Sequence, residues 1–357
     1  MILFVLPLFS GGGAERVSIN LLKELHKYGY SVSILVFKSE GPLLSMIPKD
    51  IPLYNLNTKT LRRSILPLIK EFYKLKPKVV FSTLGYVNIV VLIIGKLLPG
   101  KINIWIREAN IPSLSIPNNK YPKLFRFMYK TFYGKADKVI YTSTIMKHEF
   151  VSDFSINSSV LGFLPNPVDT SFINCKSNPV KYFDKGGICY VASGRLTYQK
   201  GFDKLILWFS KVDNKKSTLT ILGDGLLKDE LMIKAKSLGV YNRVKFVGFC
   251  NNPWKWYSGA DAFLLTSRWE GMPNSVLESL ACGTMVIATN ESAGVNDVSL
   301  QVENNSVIIA STAQQFIYAM NKVKIKQKNK KHKSLLPAMY KKENAVLIFK
   351  GWLDEVL

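Results

Sequence analysis

Two glutamates, Glu270 and Glu278, stand eight positions apart across a predicted boundary between a loop and a helix. Carboxylates accept hydrogen bonds from sugar hydroxyls, and the unpaired backbone N–H groups at a helix start bind phosphate. The pattern therefore predicts a site for a phosphorylated sugar. The other residues expected to bind there are Asn274, Ser275 and Val276. A structural alternative is that Ser275 and Glu278 form a capping box that only starts the helix, but that alternative does not explain Glu270.

A second motif holds two cations, Arg195 and Lys200, in the turn Gly194-Arg-Leu-Thr-Tyr-Gln-Lys-Gly201. The turn follows the strand-like run ICYVAS, and ligands of open α/β sheets bind at the carboxyl ends of strands. A guanidinium offers a planar fork and an ammonium a point charge, and both suit a diphosphate. The alternative is that each cation is an ordinary surface residue.

Glycine-rich turns follow two other predicted strands. Gly12 and Gly13 lie between the first strand and the first helix, where backbone N–H groups can approach an anion, and Gly223 follows the run STLTIL. The first turn is not a dinucleotide-binding fingerprint, because Arg16 takes the place of the third glycine and Lys38 that of the ribose-binding acid. Each turn can also be a tight connection without a ligand.

These motifs belong to strand-like and helix-like segments that alternate in two series. The first series contains the strand-like runs ILFVLPL, SVSILVF, KVVFST, INIWIR and KVIYTS. The second series begins with the run GICYVAS. Continuous apolar strands suit parallel sheets covered on both faces, which predicts an α/β fold of two Rossmann-like, doubly wound domains. The expected division is an N-terminal domain over 1–165, a linker over 166–187, a nucleotide-sugar domain over 188–330, and a basic segment with a terminal helix over 331–357.

The charge balance narrows the expected partners. The chain has 48 Lys and Arg residues against 25 Asp and Glu residues, a formal net charge of +23. This field attracts nucleotide phosphates, nucleic acid or an anionic membrane, although part of it can be a solvated surface. No recognition helix or aromatic RNA-binding motif accompanies the charge, so nucleic acid is not expected. The four scattered cysteines predict neither disulfides nor zinc.

Two apolar stretches are predicted to lie in buried cores. The opening MILFVLPLFS lacks a positive n-region and runs into GGGAER instead of a cleavage site, which favours a first strand over an export signal. The stretch 79–98 is interrupted by Asn88 and Lys96 and is split by Gly85 into a strand-like and a helix-like part. It is therefore not expected to span a membrane.

Taken in order, the four motifs resemble the retaining glycosyltransferases of family 4, whose GT-B fold has two Rossmann-like domains facing a central cleft. Glu270 and Glu278 match the E-x7-E signature. The resemblance implies that Glu270 contacts the transferred sugar, that Glu278 contacts the ribose, and that Arg195 and Lys200 neutralise the diphosphate leaving group. Glu270, Arg195 and Lys200 are therefore the expected catalytic residues.

Other positions match the family outside this donor site. Gly12 and Gly13 match the glycines that face the cleft, and the sequence Asn166-Pro-Val-Asp169 matches the hinge-proximal N-P-x-D motif. The residues expected on the acceptor side match the R-x-x-N loop of members that act on lipid-linked saccharides: Arg107, Glu108 and Asn110. One departure follows TMVIATN, where the family's Gly-Pro turn is absent and the outer edge of the second domain is expected to be trimmed or reshaped.

A basic and aromatic segment in the first domain adds a membrane hypothesis. The sequence KYPKLFRFMYKTFYGKADK, 120–138, suits an amphipathic helix at an anionic surface. The alternative is that its aromatic side chains pack against the domain.

The resemblance implies retaining transfer from a nucleoside-diphosphate sugar, with UDP-sugar favoured, to a lipid-linked or saccharide acceptor in polysaccharide or O-antigen biosynthesis. No metal or other cofactor is expected, and the expected location is cytoplasmic, peripheral on the inner face of the cell membrane. The alternative function is a non-catalytic, membrane-associated nucleotide-binding scaffold.

Overall fold

The computed structural model describes residues 1–58, 60–179, 186–327 and 330–357, apart from the side chain of Ala293. The chain forms two compact units. The first unit consists of Met1–Pro167 together with Glu343–Leu357, and the second consists of Val168–Lys342. Among the described residues, no helix is both long and apolar enough to span a lipid bilayer.

The first unit is built on a parallel seven-stranded sheet in the order β3-β2-β1-β4-β5-β6-β7. The chain moves outward from β1 in one direction and then in the other, which is the doubly wound arrangement. The strands are β1 (Ile2–Leu6), β2 (Val32–Val36), β3 (Leu53–Asn55), β4 (Val79–Thr83), β5 (Asn103–Arg107), β6 (Lys138–Tyr141) and β7 (Leu161–Phe163). The helices are α1 (Gly13–Lys27), α2 (Leu61–Leu75), α3 (Gly85–Leu97), α4 (Pro112–Ser115), α5 (Pro122–Phe132), α6 (Thr144–Ser152) and α14 (Lys342–Asp354).

The sequence pattern explains these elements locally. The β1 residues are all apolar and fully buried, as expected for a central parallel strand. In α1, Val17, Leu21 and Leu25 are buried at helical spacing, and Gly29, two residues after the helix ends, has a φ of +82°, which glycine adopts without steric cost. The predicted core stretch 79–98 forms β4 and α3, most of whose side chains are buried.

The second unit contains a parallel six-stranded sheet in the order β10-β9-β8-β11-β12-β13. Apolar side chains cover both of its faces. The strands are β8 (Cys189–Ser193), β9 (Thr218–Leu222), β10 (Val244–Gly248), β11 (Ala262–Leu265), β12 (Met285–Thr289) and β13 (Val307–Ala310). The helices are α7 (Thr170–Lys176), α8 (Phe202–Ser210), α9 (Lys228–Ser237), α10 (Trp254–Gly259), α11 (Asn274–Ala281), α12 (Ala293–Ser299) and α13 (Ala313–Asn321).

The sequence-based division and the structural units differ in detail. Within the expected linker, Val168 and Ile173 are already buried in the second unit, whereas 180–185 fall outside the described residues. The terminal helix α14 belongs to the first unit, where Phe349 lies edge-on to Phe81 and Trp105 at 5.3 and 5.1 Å. The outer edge of the second unit, expected to be trimmed or reshaped, forms α12 and β13, and β13 pairs with β12.

The described part of the basic stretch after α13 is attached to the second unit. The backbone N–H of Lys326 donates to Asp261 at 2.7 Å, and its ammonium donates to Thr284 at 2.9 Å. Farther along, the backbone N–H of Leu335 donates to the carbonyl of Leu280 at 2.8 Å. Most side chains of this stretch are exposed, but these hydrogen bonds hold the described positions to the second unit.

Candidate active site

The second unit brings Lys200 and Glu270 together at the topological switch point of its sheet. Strands β8 and β11 are neighbours there, and the chain leaves them for opposite sides of the sheet, which opens a crevice at their carboxyl ends. Lys200 lies in the turn after β8 and Glu270 in the loop after β11. The Lys200 ammonium forms an ion pair with Oε1 of Glu270, and the two side chains are only 17% and 9% exposed. Two separate sequence motifs thus form one charged site.

The Glu270 carboxylate is oriented by a second donor. The hydroxyl of Ser267, which is fully buried, donates to Oε1 of Glu270 at 2.9 Å. The backbone carbonyl of Ser267 in turn accepts a hydrogen bond from the Thr289 hydroxyl at 3.3 Å. A carboxylate held by two donors keeps a fixed direction, which a group that contacts a reacting sugar requires.

Arg268 braces the two segments that carry the ion pair. Its guanidinium donates to both carboxylate oxygens of Asp203 at 2.9 and 2.6 Å, and it lies 3.9 Å from the centre of the Tyr198 ring. Its backbone N–H donates to the carbonyl of Gln199 at 2.7 Å. The hydrogen bond to Asp203 raises the pKa of Arg268 further, so the brace stays charged. Arg268 therefore fixes the loop of Glu270 against the turn of Lys200.

The other expected cation, Arg195, is placed differently. Its side chain is exposed, and it forms no ion pair with any residue in the described ranges. The structure therefore brings Lys200 to Glu270 but does not bring Arg195 to either glutamate.

Gly223 and Gly225 are required by the backbone around them. Gly223 has a φ of +130°, and a Cβ at this position would overlap the carbonyl oxygen of Gly194 in the cation turn. A Cβ on Gly225 would lie 2.6 and 2.7 Å from the backbone oxygen and nitrogen of Leu196. The turn after β9 therefore packs directly on the turn that carries Arg195 and Lys200. This close approach between backbones accounts for both glycines.

The start of α11 does not form the capping box that the sequence allowed. The N-cap is Pro273, so Ser275 lies inside the first turn and Glu278 is two positions beyond the one from which the box reaches back. Oε2 of Glu278 instead accepts a hydrogen bond from the indole N–H of Trp254 at 3.1 Å. The Val276 side chain is buried in the core, so this residue can offer a ligand only its backbone.

In the first unit, Gly12 is the N-cap of α1 and Gly13 is its first residue. A Cβ on Gly12 would collide with the Glu15 carboxylate, which is 6% exposed and accepts a hydrogen bond from the Ser10 hydroxyl at 2.5 Å. A carboxylate at a helix N-terminus is favourable because of the helix dipole. The turn that was expected to contact an anion thus already holds one negative side chain.

The expected acceptor loop begins in a buried hydrogen-bond network. Glu108 is 3% exposed, and its carboxylate accepts hydrogen bonds from the hydroxyls of Tyr129 on α5 and of Tyr133 just after it, at 2.8 and 2.7 Å. Burial raises the pKa of Glu108 above its ordinary value. The carboxylate therefore contacts α5 and its C-terminal turn, while Asn110 farther along the loop is half-buried.

Arg107 connects this loop to the N-P-x-D motif. Its Nη2 donates to Oδ1 of Asn166, while its Nε and Nη1 have no hydrogen-bond partner within the described residues. Burial lowers the pKa of Arg107 to about 10. Asp169, at the other end of the motif, caps α7 by accepting from the backbone N–H of Phe172 at 2.9 Å, and it pairs with Lys342 at 2.7 Å.

Three residues of the site were not identified from the sequence: Ser267, Arg268 and Trp254. Ser267 and Arg268 follow β11 directly, so the rule that ligands meet the carboxyl ends of strands would have identified them. No comparable pattern marks Trp254, because its contact with Glu278 joins positions 24 apart on two helices.

Comparison with known proteins gives a consistent picture. A family model described as Glycosyltransferase Family 4 matches residues 11–172, and one described as Glycosyl transferases group 1 matches residues 177–342. The chain is 30% identical over 314 residues to an N-acetylgalactosamine-N,N'-diacetylbacillosaminyl-diphospho-undecaprenol 4-alpha-N-acetylgalactosaminyltransferase of Campylobacter jejuni, with 83% of this chain and 82% of the relative covered. It is 27% identical over 283 residues to the amylovoran biosynthesis glycosyltransferase AmsD of Erwinia amylovora, with 76% and 75% covered.

Solved structures share the fold. The lipopolysaccharide outer core galactosyltransferase WaaB superposes with a TM-score of 0.73 at 18% identity, covering 100% of this chain and 99% of that one. HepE of Anabaena in complex with UDP-glucose superposes with a TM-score of 0.72 at 18% identity, covering 90% and 88%. The chain belongs to the family 4 glycosyltransferases, has the GT-B fold and is a glycosyltransferase.

Proposed function

We propose that this glycosyltransferase transfers a sugar, with retention of anomeric configuration, from a UDP-sugar to a hydroxyl of a lipid-linked saccharide in bacterial surface polysaccharide assembly. The observation that carries the proposal is the shielded pair of Lys200 and Glu270 at the switch point of the second unit. The Campylobacter relative is named for a diphospho-undecaprenol acceptor, AmsD for amylovoran biosynthesis, and the HepE complexes contain UDP or UDP-glucose. These names support a lipid-linked acceptor, a role in polysaccharide biosynthesis and UDP as the nucleotide.

The proposed transfer needs no covalent enzyme intermediate. The acceptor hydroxyl forms a bond to the anomeric carbon while the bond from that carbon to the diphosphate oxygen breaks. The hydroxyl proton leaves with the departing nucleoside diphosphate. Lys200 and Arg195 stabilise the negative charge that develops on the diphosphate, Glu270 orients the sugar, and Glu278 accepts hydrogen bonds from the ribose.

The same cations predict transfer without a metal ion. The positive charges of Lys200 and Arg195 can compensate a departing diphosphate in place of a bound divalent cation. We expect turnover to be unchanged when EDTA is added. Loss of turnover in EDTA and its recovery with Mg²⁺ or Mn²⁺ would contradict this part of the proposal.

A donor screen tests the proposal. UDP-, GDP- and ADP-sugars are incubated with a lipid-linked saccharide, the release of nucleoside diphosphate is measured, and NMR assigns the anomeric configuration of the product. Lys200→Met should lower turnover about 10²-fold, the scale for one preorganised charge contact. Lys96→Met, which breaks an exposed ion pair with Asp137 in the first unit, is the control and should turn over as wild type does. Nucleotide binding without turnover of any donor would favour the non-catalytic scaffold.

We also propose that the first unit binds the anionic inner face of the cell membrane through α5. On this helix Leu124 and Phe127 are 53% and 63% exposed, and Lys123, Arg126 and Lys130 are exposed beside them. Tyr129, by contrast, is buried. The packing interpretation of this segment therefore applies to Tyr129, and the membrane interpretation applies to Leu124 and Phe127. Three cations near anionic lipid contribute about 1 kcal/mol each.

The neighbouring helix surface has the same character. Helix α3 packs against both α2 and α5. On α2, Leu66 and Tyr73 are 77% and 63% exposed, and the exposed side chains around them are basic: Arg62, Arg63, Lys70 and Lys74. A surface that combines basic and apolar groups over two helices suits a lipid interface, where apolar side chains enter and cations stay at the headgroups.

Co-sedimentation with vesicles tests this attachment. Anionic vesicles should bind the protein at low salt and release it at high salt, whereas neutral vesicles should bind it weakly. The double variant Leu124→Ser/Phe127→Ser should lose most of the binding. Leu226→Ser, at a 96% exposed position of the second unit, is the matched control and should bind as wild type does. Failure to bind either vesicle at low salt would refute the attachment and favour a soluble acceptor.

A further inference from the structure

Trp254, the first residue of α10, makes a contact with the candidate donor site. Its side chain lies in the core of the second unit, with the residue 7% exposed, and its indole N–H donates to Oε2 of Glu278 at 3.1 Å. Buried tryptophans place this N–H on a partner because leaving it unpaired is costly. The partner here is a glutamate of the donor site.

Neighbouring elements contact both the indole and the backbone of Trp254. The Phe172 ring of α7 lies edge-on to it, with the ring centres 5.3 Å apart and an angle of 86° between their planes. The Cys282 thiol, in the turn after α11, donates to the backbone carbonyl of Trp254 at 3.7 Å. The Phe172 ring therefore supports the indole, and the turn after α11 contacts the backbone of the same residue.

Helix α7 is fixed in turn by the N-P-x-D motif. Asp169 caps its N-terminus through the backbone N–H of Phe172, and the Lys342 ammonium pairs with the same carboxylate. The C-terminal end is tied by the side-chain amide of Asn252, which donates to the Lys176 carbonyl at 3.1 Å, two residues before Trp254 in the chain. A continuous series of contacts thus runs from Asp169 through Phe172 and Trp254 to Glu278.

We propose that Trp254 is a positioning residue of the donor site, whose indole N–H holds the Glu278 carboxylate in the direction that accepts the ribose hydroxyls. The proposal rests on the proposed function, in which Glu278 binds the ribose. A glutamate side chain has three rotatable bonds, and holding it before the nucleotide arrives removes the entropic cost of ordering it on binding. The same hydrogen bond favours the ionised carboxylate, the form that accepts from hydroxyls.

The test is the affinity of the full-length protein for UDP, GDP and ADP and for their 2′,3′-dideoxy counterparts, measured by calorimetry. Trp254→Phe keeps an aromatic ring against Phe172 but removes the N–H. It should bind each ribonucleotide about tenfold more weakly, the loss of one hydrogen bond to a charged group, and each dideoxynucleotide as wild type does. Trp256→Phe, on the same helix and equally buried, also loses an indole N–H and is the matched control, expected to keep both affinities.

Two further variants separate the possible failures. Phe172→Leu, at a half-exposed position, keeps the indole N–H but weakens its support, and it should show a smaller loss of ribonucleotide affinity in the same direction. Glu278→Gln should lose the preference for ribonucleotides. If Glu278→Gln keeps that preference, the ribose role of Glu278 in the proposed function is wrong. The positioning role of Trp254 is overturned if Glu278→Gln loses the preference for ribonucleotides while Trp254→Phe keeps it. It is also overturned if Trp254→Phe binds ribonucleotides and dideoxynucleotides more weakly by the same factor.

Discussion

The replacement of Lys200 by methionine probes the candidate site most directly, because it removes one charge from a pair that is largely shielded from water. The Lys200 and Glu270 side chains are 17% and 9% exposed. In Lys200→Met the Glu270 carboxylate loses its counter-charge but keeps the hydrogen bond from Ser267. In Glu270→Gln the Lys200 ammonium loses its counter-charge instead. Because the Lys200 side chain is more exposed than that of Glu270, water can solvate part of the ammonium.

These contacts set the expected size of the effect. Breaking a fully buried ion pair costs about 3–5 kcal/mol. Lys200 is partly exposed, and Ser267 still donates to the carboxylate. We therefore expect the free energy of unfolding to fall by about 2–3 kcal/mol in Lys200→Met and by about 1–2 kcal/mol in Glu270→Gln. The double variant leaves no uncompensated charge, so its loss should be smaller than the sum by about 1–2 kcal/mol.

The assay is a double-mutant cycle by urea unfolding of the full chain, with donor turnover measured on the same four proteins. The exposed pair of Lys228 and Asp224, whose charged atoms are 3.7 Å apart, provides a control cycle with an expected coupling below about 0.5 kcal/mol. Losses that add within about 0.5 kcal/mol would refute the inference that the two side chains form a shielded pair. Turnover near wild type in both single variants would remove their roles at the diphosphate and the sugar.

Three other predictions follow from the described contacts. Gly223→Ala should lower the free energy of unfolding by about 2 kcal/mol or more, because the new Cβ overlaps a backbone carbonyl at a φ of +130°, whereas Gly239→Ala, at a φ of +68° with open space around it, should cost about 1 kcal/mol; equal losses in urea unfolding would contradict this. Burial raises the pKa of Glu108 above 4.5, so the folded protein holds a proton that the unfolded chain releases, and stability falls as the pH rises from 4.5 through the raised pKa. Melting temperatures of Glu108→Gln should lack this fall, and parallel pH profiles for variant and wild type would disprove the assignment. Arg268→Lys replaces a fork on Asp203 by a point charge and should reduce turnover several-fold with little change in nucleotide affinity; unchanged turnover would show that the brace is not needed.

Much of the fold was predictable because its signals are local. A continuous apolar run such as that of β1 specifies a buried strand from neighbouring residues alone, and the repeated alternation with amphipathic helices specifies a parallel sheet. The short edge strands β3, β7 and β13 were not predicted. Each has only three or four residues, so pairing with a neighbour, more than local propensity, stabilises it.

The sequence alone also determined which residue types the donor site contains. The spacing from Glu270 to Glu278 and the turn of Lys200 are contiguous patterns, so they were recognisable before any folding was considered. The sequence could not decide what each charged group contacts. Glu108 lay in a loop expected to face the acceptor, yet two tyrosine hydroxyls more than twenty positions later enclose its carboxylate.

Only the tertiary structure decided the pairings between distant segments. Lys200 meets Glu270 across 70 positions, Trp254 meets Glu278 on a different helix, and α14 returns to pack its Phe349 beside β4 and β5 of the first unit. The physical reason is that secondary-structure propensity depends on neighbours along the chain. A hydrogen-bond or ion-pair partner depends on which strands the sheet places side by side, and that order is established only when the whole unit closes around its core.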